Sequence, residues 1–179
     1  MNQRIMSVIA GMFATLVLSA GLGVEEASSA SILIHMKTSL ALDDAQICVV
    51  PNVAWAAVKA GHKVTILVDG SAGTSVTKGF GWFRGLIGSD STALDRAALP
   101  ERERQSLSDQ MGVPIEHIPH TYGEYFDFLK NKLGVDIYGN QTMMLLYKID
   151  PARVASSVTP ISLAKMVDVL ASADRVIVY

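Results

Sequence analysis

The sequence predicts an α/β protein, a three-layer α/β/α sandwich built on a mainly parallel sheet of four to five strands. Three observations carry this. Short β-rich apolar runs alternate with longer stretches of helical periodicity from Ser31 to Tyr179, and strands separated by helices imply parallel pairing with both faces covered. Glycines at 61, 112 and 134 stand where helices should stop. Half of the 179 residues are hydrophobic and 18% are charged, below the roughly 25% charge usual for soluble domains. Disorder is thereby excluded for most of the chain.

Part of the apolar excess is local. Residues 5–24 carry no charge, follow Arg4 and end at Glu25–Glu26; Ala27-Ser28-Ser29-Ala30 then offers small residues at the −3 and −1 positions of a cut after Ala30. Residues 1–30 are expected to be a secretory signal peptide, with the protein exported to the periplasm and free of stable membrane association after cleavage. The alternative is a retained anchor, because about 20 apolar residues also span a bilayer. Gly11, Gly21 and Gly23 weaken such a helix, and the small-residue site favours cleavage. The remainder, 31–179, reads as one domain without internal repeats.

Taken in order, Ser31–Met36 is the first strand. A helix from about Leu42 to Ala60 follows, opened by Asp43 and Asp44, whose charges suit a helix N-terminus. Ala45, Val49, Val53, Ala56 and Ala60 form its expected buried stripe, and Pro51 is expected to kink it or split off its first turn. His62–Asp69 is the second strand. Residues 70–92 form a glycine- and aromatic-rich insertion loop whose apolar tip, Phe80–Ile87, suits oligomer packing. Ser91–Met111 is helix-compatible around Pro100, and Val113–Pro119 is a short extended link. Thr121 and Glu124 match a capping box opening a helix to about Leu133. Val135–Tyr138 is a strand, Gln141–Lys148 a short helix and Ser157–Thr159 a minimal strand. Ser162–Ala173 is amphipathic, with Leu163, Met166, Val167 and Leu170 on one face. Arg175–Tyr179 is expected to be a final buried strand. The natural closure of this order is flavodoxin-like.

Ligands of open α/β sheets bind outside the carboxyl ends of the strands. That rule gathers His35, Met36, Lys37 and Thr38 from the first strand, Asp69 and Ser71 from the second, and Asn140, Gln141 and Thr142 from the third. The set suits a small polar or anionic ligand. The competing reading makes His35 a satisfied core histidine and leaves Thr38, Asn140 and Thr142 as helix caps. Cys48, the lone cysteine, excludes an internal disulfide and a cysteine-built zinc site. It is the one candidate nucleophile or sulfur carrier, a role that needs exposure and a lowered pKa. A buried, inert thiol is the commoner outcome. His117 and His120, three apart with Pro119 between, do not make a helical zinc motif. With 15 basic and 17 acidic residues there is no basic footprint for nucleic acid. No cofactor motif is present: Gly70-Ser71-Ala72-Gly73-Thr74 lacks the Lys-Ser/Thr end of a phosphate loop.

Three stretches together resemble the DsrE/DsrF-like family of sulfur-relay subunits: Ala60-Gly61-His62-Lys63-Val64 running into Thr65–Gly70, the helix–glycine–strand unit Phe128–Tyr138, and Val158–Tyr179 with its Ala173-Asp174-Arg175-Val176-Ile177. The resemblance implies the sandwich fold, a homo-oligomer, and a persulfide cysteine just after the strand matching Val135–Tyr138. Asn140 occupies that place here. An amide cannot hold a persulfide, because the chemistry needs thiolate sulfur. Two functional expectations follow. One is an exported protein tied to sulfur or redox traffic through Cys48 or a partner's thiol. The other is a non-catalytic module that binds a small polar ligand or a partner protein.

Overall fold

The computed structural model describes residues 29–78 and 93–179; the expected signal segment through residue 28, and residues 79–92 of the expected insertion loop, lie outside the described residues. Five strands form one sheet: β1 (Ser31–Met36), β2 (Lys63–Val68), β3 (Asp136–Asn140), β4 (Thr159–Ile161) and β5 (Arg175–Val178). Their spatial order is β4-β3-β2-β1-β5, and every neighbouring pair is parallel. The helices are α1 (Asp44–Lys59), α2 (Glu101–Met111), α3 (Tyr122–Leu133), α4 (Gln141–Leu146) and α5 (Leu163–Ala171). This is the expected α/β, flavodoxin-like arrangement.

The strand order decides how the faces are covered. The steps β1→β2→β3→β4 all run one way across the sheet, and β4→β5 returns to the far side of β1. Right-handed crossovers put same-direction connections on one face and a reversed one on the other. The core divides accordingly. Ile34 and Met36 of β1, Val64, Ile66 and Val68 of β2 and Ile137 of β3 pack with Ile47, Val50 and Trp55 of α1 and Tyr125, Phe126 and Leu129 of α3. On the opposite face, among the described residues, only Leu33, Leu67, Ile161 and Val169 form a buried cluster, bordered by Tyr138, Met166, Leu170 and Ala173. Among the described residues one helix, α5, therefore serves this face, while several share the other.

Local chemistry explains the elements. Asp43 caps α1, its carboxylate accepting from the Gln46 N–H at 3.2 Å. The helix runs as one element through Pro51, so its first turn is not split off. The ring is buried there, and only the bond to the Ile47 carbonyl is forgone. The buried stripe is Ile47, Val50, Pro51, Ala54 and Trp55, not the expected alanine-rich one. Turning the larger side chains inward removes more apolar area from water, at about 25 cal/mol per Å2. The capping box of α3 forms as expected: Thr121 Oγ1 accepts from the Glu124 N–H, and the Glu124 carboxylate accepts from the Thr121 N–H. Gly134, at φ +70°, closes that helix in the left-handed conformation. Arg104, 7% exposed, ties α2 to the following link by donating to the Ile115 and Ile118 carbonyls.

Five boundaries or faces differ from expectation. Residues 70–74 form a 3-10 turn, and helix begins only at Glu101. β4 sits two residues later than expected, at Thr159–Ile161. On α5, Leu163 and Val167 point to solvent, while Met166, Val169 and Leu170 face the sheet. β5 is an edge strand with Val176 and Val178 about half exposed, not a buried one. An apolar run looks buried in sequence; α5 alone does not reach across to cover it.

Candidate functional site

At the carboxyl ends of β1, β2 and β3, three side chains on the α5 face join through one carboxylate. Alternation places His35 on the same face as Leu33, and Asn140 on the same face as Tyr138. Asp69 follows β2, its N–H donating to the Met36 carbonyl at 2.9 Å. Asp69 Oδ1 accepts from Asn140 Nδ2 at 2.8 Å, and Oδ2 lies 3.1 Å from His35 Nε2. Asn140 Oδ1 accepts in turn from the Thr142 and Met143 N–H groups, capping α4.

Burial opposes ionisation of Asp69. The hydrogen bonds from Asn140, from the Gly70 N–H and from His35 outweigh it and hold the carboxyl below its ordinary range. An ionised Asp69 can only accept, so the ring nitrogen facing it carries the proton, and the neutral imidazole keeps its lone pair on Nδ1. Among the described residues nothing bonds Nδ1. His35 and Asp69 side chains are 13% and 16% exposed, within reach of a small ligand. In-register pairing sets Val178 beside His35 and Val176 beside Leu33, giving the polar group an apolar flank.

The other strand-end candidates separate. Met36 is fully buried on the opposite face. The Lys37 side chain is exposed, while its carbonyl accepts from Ser71 Oγ and from the Ala72 N–H. Gly70 makes that approach feasible: at φ +54°, a Cβ there would sit 3.0 Å from the Lys37 oxygen. Thr38 Oγ1 donates to Gln46 Oε1. Gln141 and Thr142 are exposed, and Gln141 lines a separate cavity of about 150 Å3 with Met144, Leu145 and Ile149.

Cys48 belongs to a different network. Its Sγ lies 2.7 Å from Tyr122 Oη, which lies 2.8 Å from Glu103 Oε2. Glu103 Oε1 accepts from Asn52 Nδ2. Burial pushes the thiol up; the hydrogen bond from Tyr122 opposes it, and the charges of Glu103, Asp44 and Asp43 each add a smaller rise. The cysteine packs against the core of the α1/α3 face, across the sheet from His35, Asp69 and Asn140. Sequence reasoning missed Tyr122 and Glu103, which lie 74 and 55 positions from Cys48 (122 − 48 and 103 − 48); no local pattern could have joined them. His117 is exposed, and the backbone of His120 serves the α3 cap. Among the described residues no three His, Cys, Asp or Glu side chains are grouped to hold a metal.

No protein-family model matches the chain, and no curated protein does. Among solved structures, the crystal structure of the YchN protein from E. coli is similar at 10% sequence identity and a TM-score of 0.48, over 84% of this chain and 99% of that one.

Proposed function

We propose that the domain binds a small polar ligand at the carboxyl end of its sheet, with His35 Nδ1 taking a proton or hydrogen bond from the ligand and Val176 and Val178 flanking it. The observation that carries the reading is the Asp69 carboxylate bridging His35 and Asn140 from adjacent strands. A carboxylate that orients an imidazole and leaves its other nitrogen unbonded is the arrangement used for proton exchange and ligand recognition. A thermal-shift screen of small polar compounds tests this: hits should stabilise the wild type and lose that effect in His35→Ala. Hits that act equally on both proteins would overturn it.

Sulfur carriage by this chain would have to use Cys48, and its raised pKa and position across the sheet count against that route. Export after cleavage behind Ala30 is proposed from the amino-terminal pattern alone, and a mature protein beginning at Ser31 would be its signature. Self-association is supported by β5, an edge strand with exposed Val176 and Val178. Light scattering should then show an oligomer that Val178→Lys reduces to monomer.

A further inference from the structure

The outer surface of the α1/α3 face carries a cavity of about 330 Å3 lined by Trp55, Val113, His117, Phe128 and Lys132. Its volume falls within the range of small-molecule sites, which are mostly apolar with a few polar groups that fix orientation. The walls match that description. Trp55 and Phe128 pack edge to face with centroids 5.0 Å apart, and Val113 completes an apolar floor. The two polar members are both basic types. Lys130, two residues before Lys132 on α3, donates to the Ser156 carbonyl and to Thr159 Oγ1. Lys132 has no hydrogen bond or ion pair with any described residue, and neither does the His117 ring.

We infer that this cavity binds a small aromatic carboxylate, its ring against Trp55 and Phe128 and its charge on Lys132. Edge-to-face and offset packing of a further ring adds attraction beyond area burial, and a lysine whose stem lines apolar surface presents its ammonium at the margin. An anion is selected because the polar members of the lining are cationic or neutral and none is acidic. The site is separate from the strand-end residues and does not depend on the reading given to them.

Benzoate and its neutral isostere benzamide are the probes, and the readout is the Trp55 indole N–H resonance, assigned with the Trp82→Phe variant. Benzoate should move that resonance saturably, and benzamide should bind at least fivefold more weakly. Lys132→Gln, at an exposed position, should weaken benzoate at least fivefold and leave benzamide unchanged. His35→Ala should alter neither. Equal affinities for acid and amide, no saturable shift, or an unchanged benzoate affinity in Lys132→Gln would overturn the assignment.

Discussion

Two hydrogen-bonded carboxylates on opposite faces of one sheet have opposite consequences. Asp69 collects an imidazole and an amide donor, stays ionised, and fixes a ring whose second nitrogen is open. Glu103 sits beside a phenol and, through it, a thiol. There burial raises the Cys48 thiol above its ordinary range, and the nearby negative charge adds to that rise. A carboxylate prepares a basic neighbour for chemistry and quiets an acidic one. The lone cysteine, conspicuous in the sequence, is thus the quieter of the two centres.

The sharpest way to break this contrast is to delete one hub from each side. Asp69→Ala leaves two donors without their acceptor, one of them on Asn140, which is 4% exposed. It should cost about 3 kcal/mol in chemical denaturation, while Cys48→Ser should stay within about 1 kcal/mol. A larger loss at Cys48 would reverse the ranking of the two networks. Asn140→Asp keeps the α4 cap and puts a second carboxylate against Asp69. Like charges raise one pKa of such a pair, so the variant should lose about 2 kcal/mol at pH 7 and recover it as the pH falls towards about 4. A penalty independent of pH would show that Asp69 is not ionised.

The acid limb of the wild-type stability curve sharpens the same point. Asp69 titrates lower in the folded state than in the unfolded chain, where about 3.9 is usual. Its contribution is therefore complete above the unfolded value and is lost as the pH drops through the folded one. The stability gap between wild type and Asp69→Asn should narrow between about pH 5 and pH 2, and a constant gap would contradict it. The smallest expected effect is on Cys48. Alkylation by iodoacetamide at pH 7.5 should run slower than for a free thiol, because the thiolate reacts. Glu103→Gln should quicken it by relieving one of the charges that raise the pKa. Incubation with polysulfide should leave the intact mass unchanged; an added sulfur that disappears in Cys48→Ser would restore the sulfur-relay reading.

Much of the fold was legible because its signals are local. The Thr121–Glu124 capping box and the alternation of apolar runs fix α3 and the strands to within a few residues. Facing was harder. Along α1, two stripes compete, and only tertiary packing reveals that Ile47, Val50 and Trp55 take the inside. β5 reads as buried because Val-Ile-Val looks the same in a central strand and in an edge strand. At the site, His35, Asp69 and Asn140 were gathered by the strand-end rule, since that rule depends only on topology. The same rule swept in Met36, one residue along β1, because alternation then turns it to the other face.

The pairing of β5 with β1 links distant parts of the chain: the Ser31 N–H donates to Asp174 across 143 residues. Closing so long a loop carries an entropic cost that grows slowly with length, and parallel pairing at this separation slows folding. The strand that bears His35 has β2 on one side from early in the chain, but its other edge stays open until the last strand arrives. Of the five strands, then, β1 joins its neighbour in sequence to the strand most distant from it, so the wall beside His35 exists only once residues 175–178 have docked.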